Sequence, residues 1–211
     1  EKTATGAMPE NPALVTTIVT TNMTKPITEA YGVKLIEVLT GFKFIGEQIK
    51  FFEQTGSNNY VFGLEESYGC LAGTHARDKD AVAAVMALCE VAAYCRHQGI
   101  TLCDQMENLF KNMDITRKGF VQVTLKGQEG AKKIQSMMEQ IRENIPEKVG
   151  GLKVMRFRDY REDIVKDCVT GVQTVTGLPK SNVLYFELEN EAWCCIRPSG
   201  TETQNQILYR M

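Results

Sequence analysis

No stretch of this sequence approaches the roughly 18 uninterrupted apolar residues that a membrane-spanning helix needs. The most apolar segment, residues 81–94, is short and carries Glu90 within it, which argues against a membrane partner. Basic charge is scarce as well. The 24 Lys and Arg are outnumbered by 26 Asp and Glu for a net charge of -2, the pI is near 5.8, and no Lys/Arg block stands out, so nucleic acid finds no basic field. Histidine is limited to His75 and His97, and none of the seven cysteines forms a CxxC pair, so the usual zinc-ligand spacings are missing. The first β-rich run continues as Val19-Thr-Thr-Asn-Met without Gly-x-Gly-x-x-Gly, which removes the signature of a dinucleotide-binding turn. There is no internal repeat, no low-complexity segment, no initiator Met and no signal-peptide core. The opening residues read as a helix tail and then a loop through Pro9 and Pro12, so a fragment of a longer protein is expected.

What is present is enough for a packed core: 211 residues, 43% hydrophobic and 24% charged, the size of one large or two small domains. The odd set Cys70, Cys89, Cys95, Cys103, Cys168, Cys194 and Cys195 lies mostly in apolar patterns and is expected to be buried thiols of a reducing, cytoplasmic compartment. Residues 13–21, 34–39 and 59–64 are rich in β-branched and apolar residues and read as strands. Helical patterns separate them at 23–31, stopped by Gly32, and at 42–54, followed by Gly56. Strand-helix alternation predicts a parallel sheet with helices on both faces, a doubly wound α/β domain over 1–113. Its closing helix, 78–98, places Val82, Val85, Met86, Cys89, Ala92 and Ala93 at helical spacing. A further amphipathic helix carries Met106, Leu109, Phe110 and Met113.

The pattern changes after the polar run 114–119. Alternation over 120–125, a helix with Ile134, Met137, Met138 and Ile141 on one face, a strand near 152–157, a long loop over about 158–182 and paired runs at 183–188 and 192–197 predict a smaller α+β domain with an antiparallel sheet over 114–211.

Three strand ends carry candidate chemistry. Gly63-Leu-Glu-Glu-Ser-Tyr-Gly69 directly follows the third strand. In an open parallel sheet ligands bind beyond the carboxyl ends of strands, and Glu65, Glu66 and Ser67, on a loop freed to turn by two glycines, suit hydrogen bonds from neighbouring sugar hydroxyls. Equally, Glu-Glu in a loop is often a solvated turn. Arg197-Pro-Ser-Gly-Thr-Glu202 offers backbone N–H groups, the Ser199 and Thr201 hydroxyls, the flexibility of Gly200 and a bidentate guanidinium for a phosphate; alone it reads as well as an ordinary turn. Thr40-Gly-Phe-Lys-Phe-Ile-Gly46 sets Lys43 between aromatic rings, where lost solvation would suit acid/base work, against the common case of a solvated lysine. His75, Arg77, Asp78 and Lys79 precede the long helix, with Asp78 expected to cap it and Arg77 to reach an anion. Asp78-x-Asp80 reads as a first helical turn rather than a magnesium site, and Glu187, Glu189 and Glu191 as a polar hairpin end rather than a calcium site.

The segments TGFKFIG, FGLEESYG, HARDKD, LPKSNVLYFELE and RPSGTE occur in the order and approximate spacing of the α-D-phosphohexomutase family, which the chain resembles over nearly its whole length. EESYG and Phe42 resemble the phosphoglucomutase and phosphopentomutase branch more than phosphomannomutases. The resemblance implies that 1–113 is the family's third domain and 114–211 its fourth. It implies that Glu65, Glu66 and Ser67 hold sugar hydroxyls, that Arg197, Ser199, Gly200 and Thr201 hold phosphate, and that Lys43 assists proton transfer. The implied activity is an isomerase, an intramolecular phosphotransferase moving a phosphoryl group between O1 and O6 of a hexose or O1 and O5 of a pentose, with glucose 1,6-bisphosphate as intermediate and activator and Mg²⁺ as cofactor. The Ser-His-Asn-Pro-like phosphoserine motif and the Asp-x-Asp-x-Asp-Arg metal loop are absent from this sequence. The implied partners are therefore a sugar phosphate and the missing N-terminal domains of the same protein, and the chain alone is expected to be inactive. The alternative is a stand-alone, non-catalytic sugar-phosphate binding module. After RPSGTE the family continues with Pro-Lys and a β-strand, whereas Thr203-Gln-Asn-Gln follows here, so the last strand and terminal helix are expected to be altered or absent. Leu64 also stands where many relatives carry Gly.

Overall fold

A computed structural model describes residues 6–21, 23–67, 69–113, 118–125, 127–198 and 204–210. The chain divides into two compact units, Glu1–Ile115 and Thr116–Met211.

In the first unit the order is β1 (Pro12–Thr17), α1 (Thr24–Ala30), β2 (Lys34–Val38), α2 (Phe42–Thr55), β3 (Asn59–Glu65), β4 (Gly69–Ala72), α3 (Ala81–His97) and α4 (Leu102–Met113). The sheet runs β2-β1-β3-β4. β1 is central and parallel to both β2 and β3, with Val15 level with Ile36 on one side and Gly63 on the other. All three carboxyl ends therefore lie on one edge of the sheet. The alternation of apolar strands and helices carries this arrangement, as the sequence predicts.

The core forms where α2 lies on the sheet. Phe42, Ile45, Ile49 and Phe52, spaced three or four apart, are buried with Ala13, Val15, Val38, Tyr60 and Leu71. Each such side chain contributes roughly 1.5–3 kcal/mol of burial. Gly56 ends α2 in a left-handed conformation, φ 64°, with its N–H donating to Phe52 O, which a residue with a Cβ adopts only at a cost.

Two expectations fail here for identifiable reasons. A fourth strand, β4, follows the Glu-Glu-Ser turn and pairs antiparallel with β3, Glu65 opposite Gly69. Its Gly-Cys-Leu-Ala sequence is too short for a readable alternation. On α3 the apolar face is largely uncovered, with Val82 72% and Met86 61% exposed, and Cys89 and Cys103 are exposed rather than buried. Periodicity identifies which face of a helix is apolar, not what lies on it, and among the described residues α3 packs on β4 and α4.

The second unit contains β5 (Lys118–Thr124), α5 (Gly127–Glu143), β6 (Lys148–Val149), β7 (Leu152–Asp159), β8 (Ile164–Asp167), β9 (Gln173–Thr174), β10 (Leu184–Leu188), β11 (Trp193–Pro198) and β12 (Gln204–Arg210). They form one antiparallel sheet in the order β5-β12-β11-β10-β7-β8-β9, with β6 paired to β7. Met138 of α5 is buried on Val154, Phe157, Leu184, Phe186, Leu188, Ala192 and Cys194, and the Phe157 and Phe186 rings lie 5.2 Å apart. Met137 is turned outward, so the inward stripe of α5 is Ile134, Met138 and Ile141. Arg142 Nε donates to Asp159 at 2.9 Å and its Nη2 to Asn182 at 2.5 Å, fastening the end of α5 to the end of β7.

The expected loop over 158–182 instead contains β8 and β9, two short strands set by pairing with β7 and with each other. The segment after β9 is tied back to the turn before β8 by Asp163 Oδ1, which accepts from Thr176 Oγ1 at 2.5 Å and from the Thr176 and Gly177 N–H groups. The last strand, expected to be altered or absent, is β12, which bridges β11 and β5.

Candidate functional site

β3 delivers Glu65 to the carboxyl edge of the parallel sheet, and the turn to β4 adds Glu66 and Ser67. The side chain of Glu65 is only 3% exposed, and a carboxylate removed from water needs donors to stay charged. Its Oε1 accepts from Lys79 Nζ at 2.5 Å and from Ser67 Oγ at 2.7 Å. Oε2 is buried without a hydrogen-bond partner among the described residues. The Glu65 hydrogen bond, foremost, with the carboxylates of Glu65, Asp78 and Glu66, holds the Lys79 ammonium above its usual range against the cost of desolvation.

Glu66 is anchored from the neighbouring strand. Its Oε2 accepts from Thr17 Oγ1 at 2.9 Å and Thr20 Oγ1 at 3.2 Å, and these two buried hydroxyls lie 2.7 Å apart. Because β1 and β3 are parallel neighbours, Thr17 and Thr20 at the end of β1 and Glu65 and Glu66 at the end of β3 reach the same edge. Ser67 is exposed. The structure thus brings Glu65, Glu66 and Ser67 together and adds Thr17 and Thr20, which the motif reading missed, and Lys79, which it set only in the polar cluster before the long helix. The carboxyl-end rule that selects Glu65 applies equally to the Thr-Thr-x-x-Thr run, residues 16–20, that ends β1. Lys79 carries no comparable signal, because its contact spans 14 positions.

The glycines of this segment act differently from the expectation that they free a turn. Neither Gly63 nor Gly69 has a left-handed φ. They provide room instead. A Cβ on Gly63 would overlap Tyr60 Oη and Ile45 Cγ2, and one on Gly69 would overlap Cδ and Cγ of Lys79. Tyr60 Oη donates to Leu71 O at 2.9 Å across the same place.

The polar cluster before α3 is also reassigned. Asp80, not Asp78, caps the helix, accepting from Val82 N at 2.9 Å and Ala83 N at 3.1 Å. The His75 ring, 2.7 Å from the other oxygen, and these amides hold the Asp80 carboxyl below its usual range. Asp78 accepts from the adjacent Lys79 N–H. Arg77 grips Glu53 with two bonds of 2.6 and 2.8 Å, so the anion it reaches belongs to α2. Gly46 of α2 leaves space for this loop, since a Cβ there would sit 2.7 Å from Arg77 O.

Lys43 follows β2 on the same edge of the sheet but is exposed, its ammonium 4.7 Å from the Phe44 ring centroid. The expected loss of solvation is therefore absent, because the two rings flank a helical first turn rather than enclose the amine. Arg197 is a half-buried residue of β11 in the second unit. Ser199, Gly200 and Thr201, like Tyr68, lie outside the described residues. Glu187 is engaged by Arg158 and Arg156, and Glu189 by the Lys153 N–H. No group of three or more His, Cys, Asp or Glu among the described residues suits a metal ion, and Asp80 is committed to the α3 cap, so these residues do not fit a Mg²⁺ site.

Residues 2–113 match the family described as phosphoglucomutase/phosphomannomutase, alpha/beta/alpha domain III. A phosphoglucomutase of Staphylococcus aureus (strain MRSA252) is 36% identical over 194 residues, covering 92% of this chain and 35% of the relative. A phosphoglucomutase of Staphylococcus saprophyticus is 31% identical over 198 residues, covering 94% and 36%. Among solved structures, the open form of the exocytosis-sensitive phosphoprotein pp63/parafusin of Paramecium, a phosphoglucomutase, has a TM-score of 0.62 over 94% of this chain and 32% of that one, at 20% identity, a likeness of fold. The chain spans about a third of the length of the curated relatives it matches. With its parallel sheet, its Glu-Glu-Ser edge and the match over 2–113, this chain belongs to the phosphoglucomutase/phosphomannomutase family.

Proposed function

We propose that this chain is the substrate-gripping half of a phosphoglucomutase-type isomerase that interconverts sugar 1-phosphate and sugar 6-phosphate, or pentose 1- and 5-phosphates, by intramolecular phosphotransfer. The observation that carries the reading is the pair of anchored carboxylates at the end of β3. Glu65 and Glu66 are bonded to Lys79, Ser67, Thr17 and Thr20, and Glu65 retains a buried acceptor oxygen. Carboxylates held in place accept sugar hydroxyls with charge-assisted strength and lose little freedom on binding. They also repel phosphate, so a sugar phosphate presents its hydroxyl edge to Glu65, Glu66 and Ser67 and its phosphate to a cationic group.

That cationic group is proposed to be the Arg197-Pro-Ser-Gly-Thr turn, with Arg197, Ser199, Gly200 and Thr201 gripping phosphate. The unit that carries it is then the family's fourth domain. Lys43, solvent-exposed here, is proposed to assist proton transfer in the closed enzyme. The phosphoserine and the Mg²⁺ loop lie outside this chain in this reading, as does the step that uses glucose 1,6-bisphosphate, so the chain alone grips and does not turn over. Phosphoryl transfer needs charge neutralised from several directions, which separate domains closing on one substrate supply.

The uncovered apolar face of α3, with Val82, Val85, Met86, Leu88 and Val91 exposed, supports a role within a longer polypeptide that buries it. Seven free cysteines support action in the cytoplasm, where thiols stay reduced. No helix among the described residues is long and apolar enough to cross a membrane.

The test is an amide NMR titration of the chain with glucose 1-phosphate, with glucose and inorganic phosphate as controls, alongside a coupled mutase assay. The expected result is shifts at residues 63–69 and 197–201, larger for the sugar phosphate than for either control, with no turnover. Absence of shifts at millimolar ligand, or turnover by the purified chain, contradicts the reading.

A further inference from the structure

A buried charge network at the end of α5 has no part in the site described above. The side chains of Arg142 and Asp159 are 8% and 5% exposed. Arg142 Nε donates to Asp159 Oδ2 at 2.9 Å and its Nη2 to Asn182 Oδ1 at 2.5 Å, while Asp159 Oδ1 accepts from the Arg161 N–H. Asn182 lies on the entry to β10. Beside it, the Tyr160 N–H donates to Val183 O and the Ser181 N–H to Tyr160 O, both at 3.1 Å. Residues 181–183 are thereby tied to the end of β7 and to α5 together. The register of the sheet shows what lies next to them. β10 and β11 pair from Glu187 opposite Trp193 to Leu184 opposite Ile196, and continuing that register sets Val183 level with Arg197 and Asn182 level with Pro198. On its other side the end of β11 pairs with β12, Arg197 opposite Gln206 and Pro198 opposite Asn205. Among the described residues the β10 ladder thus stops one residue short of Arg197, so on that flank backbone pairing does not reach the start of the Arg197-Pro-Ser-Gly-Thr turn.

We infer that Arg142, braced by Asp159, is a positioning residue for the phosphate turn: it fixes Asn182 and the entry to β10, beside which the end of β11 carries Arg197. The inference rests on the reading of Arg197, Ser199, Gly200 and Thr201 as the phosphate grip, and adds to it a dependence on a charge pair on the other face of the sheet. Asp159 lies opposite Leu184, a core residue under α5, and strand alternation puts Asn182 on that same face and Arg197 on the opposite one. Arg142 therefore acts through the backbone of the sheet edge and not as a ligand contact. A binding constellation has to be held to within about 0.5 Å by bonds behind it. A buried ion pair adds little net stability over apolar side chains of similar volume, so holding a position is the role this pair has at the edge where the turn leaves the sheet.

The test uses the 211-residue chain and reads the dissociation constants of glucose 1-phosphate and inorganic phosphate from amide shifts at 197–201. Two variants separate position from stability. Asn182→Ala cuts the link and leaves Arg142 on Asp159, whereas Arg142→Met/Asp159→Asn removes both charges of the pair at once. Each variant is expected to weaken both ligands about fivefold, the effect of losing one hydrogen bond, under conditions where urea unfolding shows the second unit still folded. In the ligand-free chain the Ile196 and Arg197 amides are expected to shift in both variants, while the response of residues 63–69 to glucose stays as in the wild type. A purely stabilising role predicts lower unfolding midpoints with unchanged dissociation constants. That result in either folded variant overturns the inference and leaves the phosphate reading standing. Should the double variant fail to fold, Asn182→Ala decides by the same criterion. A wild type without shifts at 197–201 overturns both the inference and the phosphate reading.

Discussion

Replacing Asp159 with Asn in the second unit strands a buried cation. The Arg142 side chain is 8% exposed and that of Asp159 5%. Arg142 Nε donates to Asp159 Oδ2 at 2.9 Å, its Nη2 to Asn182 at 2.5 Å, and its Nη1 reaches Glu139 at 3.4 Å. Asp159 Oδ1 accepts from the Arg161 N–H. An asparagine keeps an acceptor for that N–H and removes the charge that balances Arg142. Breaking a buried pair from one side costs about 3–5 kcal/mol, a large share of the 5–15 kcal/mol typical of a domain. Glu139, at longer range and itself bonded to Arg161, offsets a part, so the lower end of that range is expected. Arg142→Met strands the carboxylate instead and costs a similar amount. The double variant Arg142→Met/Asp159→Asn leaves no unpaired charge and is expected to lose less than either single change, because methionine packs where the guanidinium stem lay. Urea unfolding followed by tryptophan fluorescence reads the second unit, since Trp193 is buried in β11. Losses that simply add in the double variant refute the reasoning.

Three further outcomes follow from the same structure. Gly63→Ala is expected to destabilise the first unit by about 1–3 kcal/mol through overpacking on Tyr60 and Ile45, and Tyr60→Phe in the same chain is expected to recover part of that loss in thermal unfolding. The Asp80 carboxyl is held low by His75 and the α3 amides, so its cap is fully present above the ordinary aspartate range and is lost as pH falls through the lower folded value; the protection of the Val82 and Ala83 amides, taken relative to their intrinsic exchange rate at each pH, is expected to fall over that acid interval in the wild type and to be low already at neutral pH in Asp80→Ala. Thiol labelling of the native chain is expected to modify Cys89 and Cys103 first, while Cys95, Cys194 and Cys195 stay protected by burial, which also pushes the Cys194 thiol up to about 11; equal labelling of all seven contradicts the packing.

The parallel sheet was legible because its three parallel strands are β-branched or apolar runs separated by helices, and the glutamate pair because ligands of such sheets gather at carboxyl ends. What escaped depends on pairing and distance. β4, β8 and β9 are strands only because β3, β7 and each other offer partners, a condition that two to four residues do not encode by themselves. Met137 and Met138 are equally apolar, and only the seating of α5 decides that Met138 turns inward. Lys79 reads as one member of the polar cluster before the long helix until the hairpin carries Glu65 beneath it. Gly63 and Gly69 read as flexible joints, whereas their neighbours make them spaces.

The most direct test of the central claim is the glucose 1-phosphate affinity of Glu65→Gln/Glu66→Gln set against that of the wild type, by amide shifts at 63–69, with inorganic phosphate as the control. The substitution keeps the size of both side chains and removes both charges. The account predicts at least about a tenfold weaker affinity for the sugar phosphate with the inorganic phosphate response unchanged. Undiminished sugar-phosphate binding in a folded variant would contradict it, because the anchored carboxylates at the end of β3 would then not be the sugar contact.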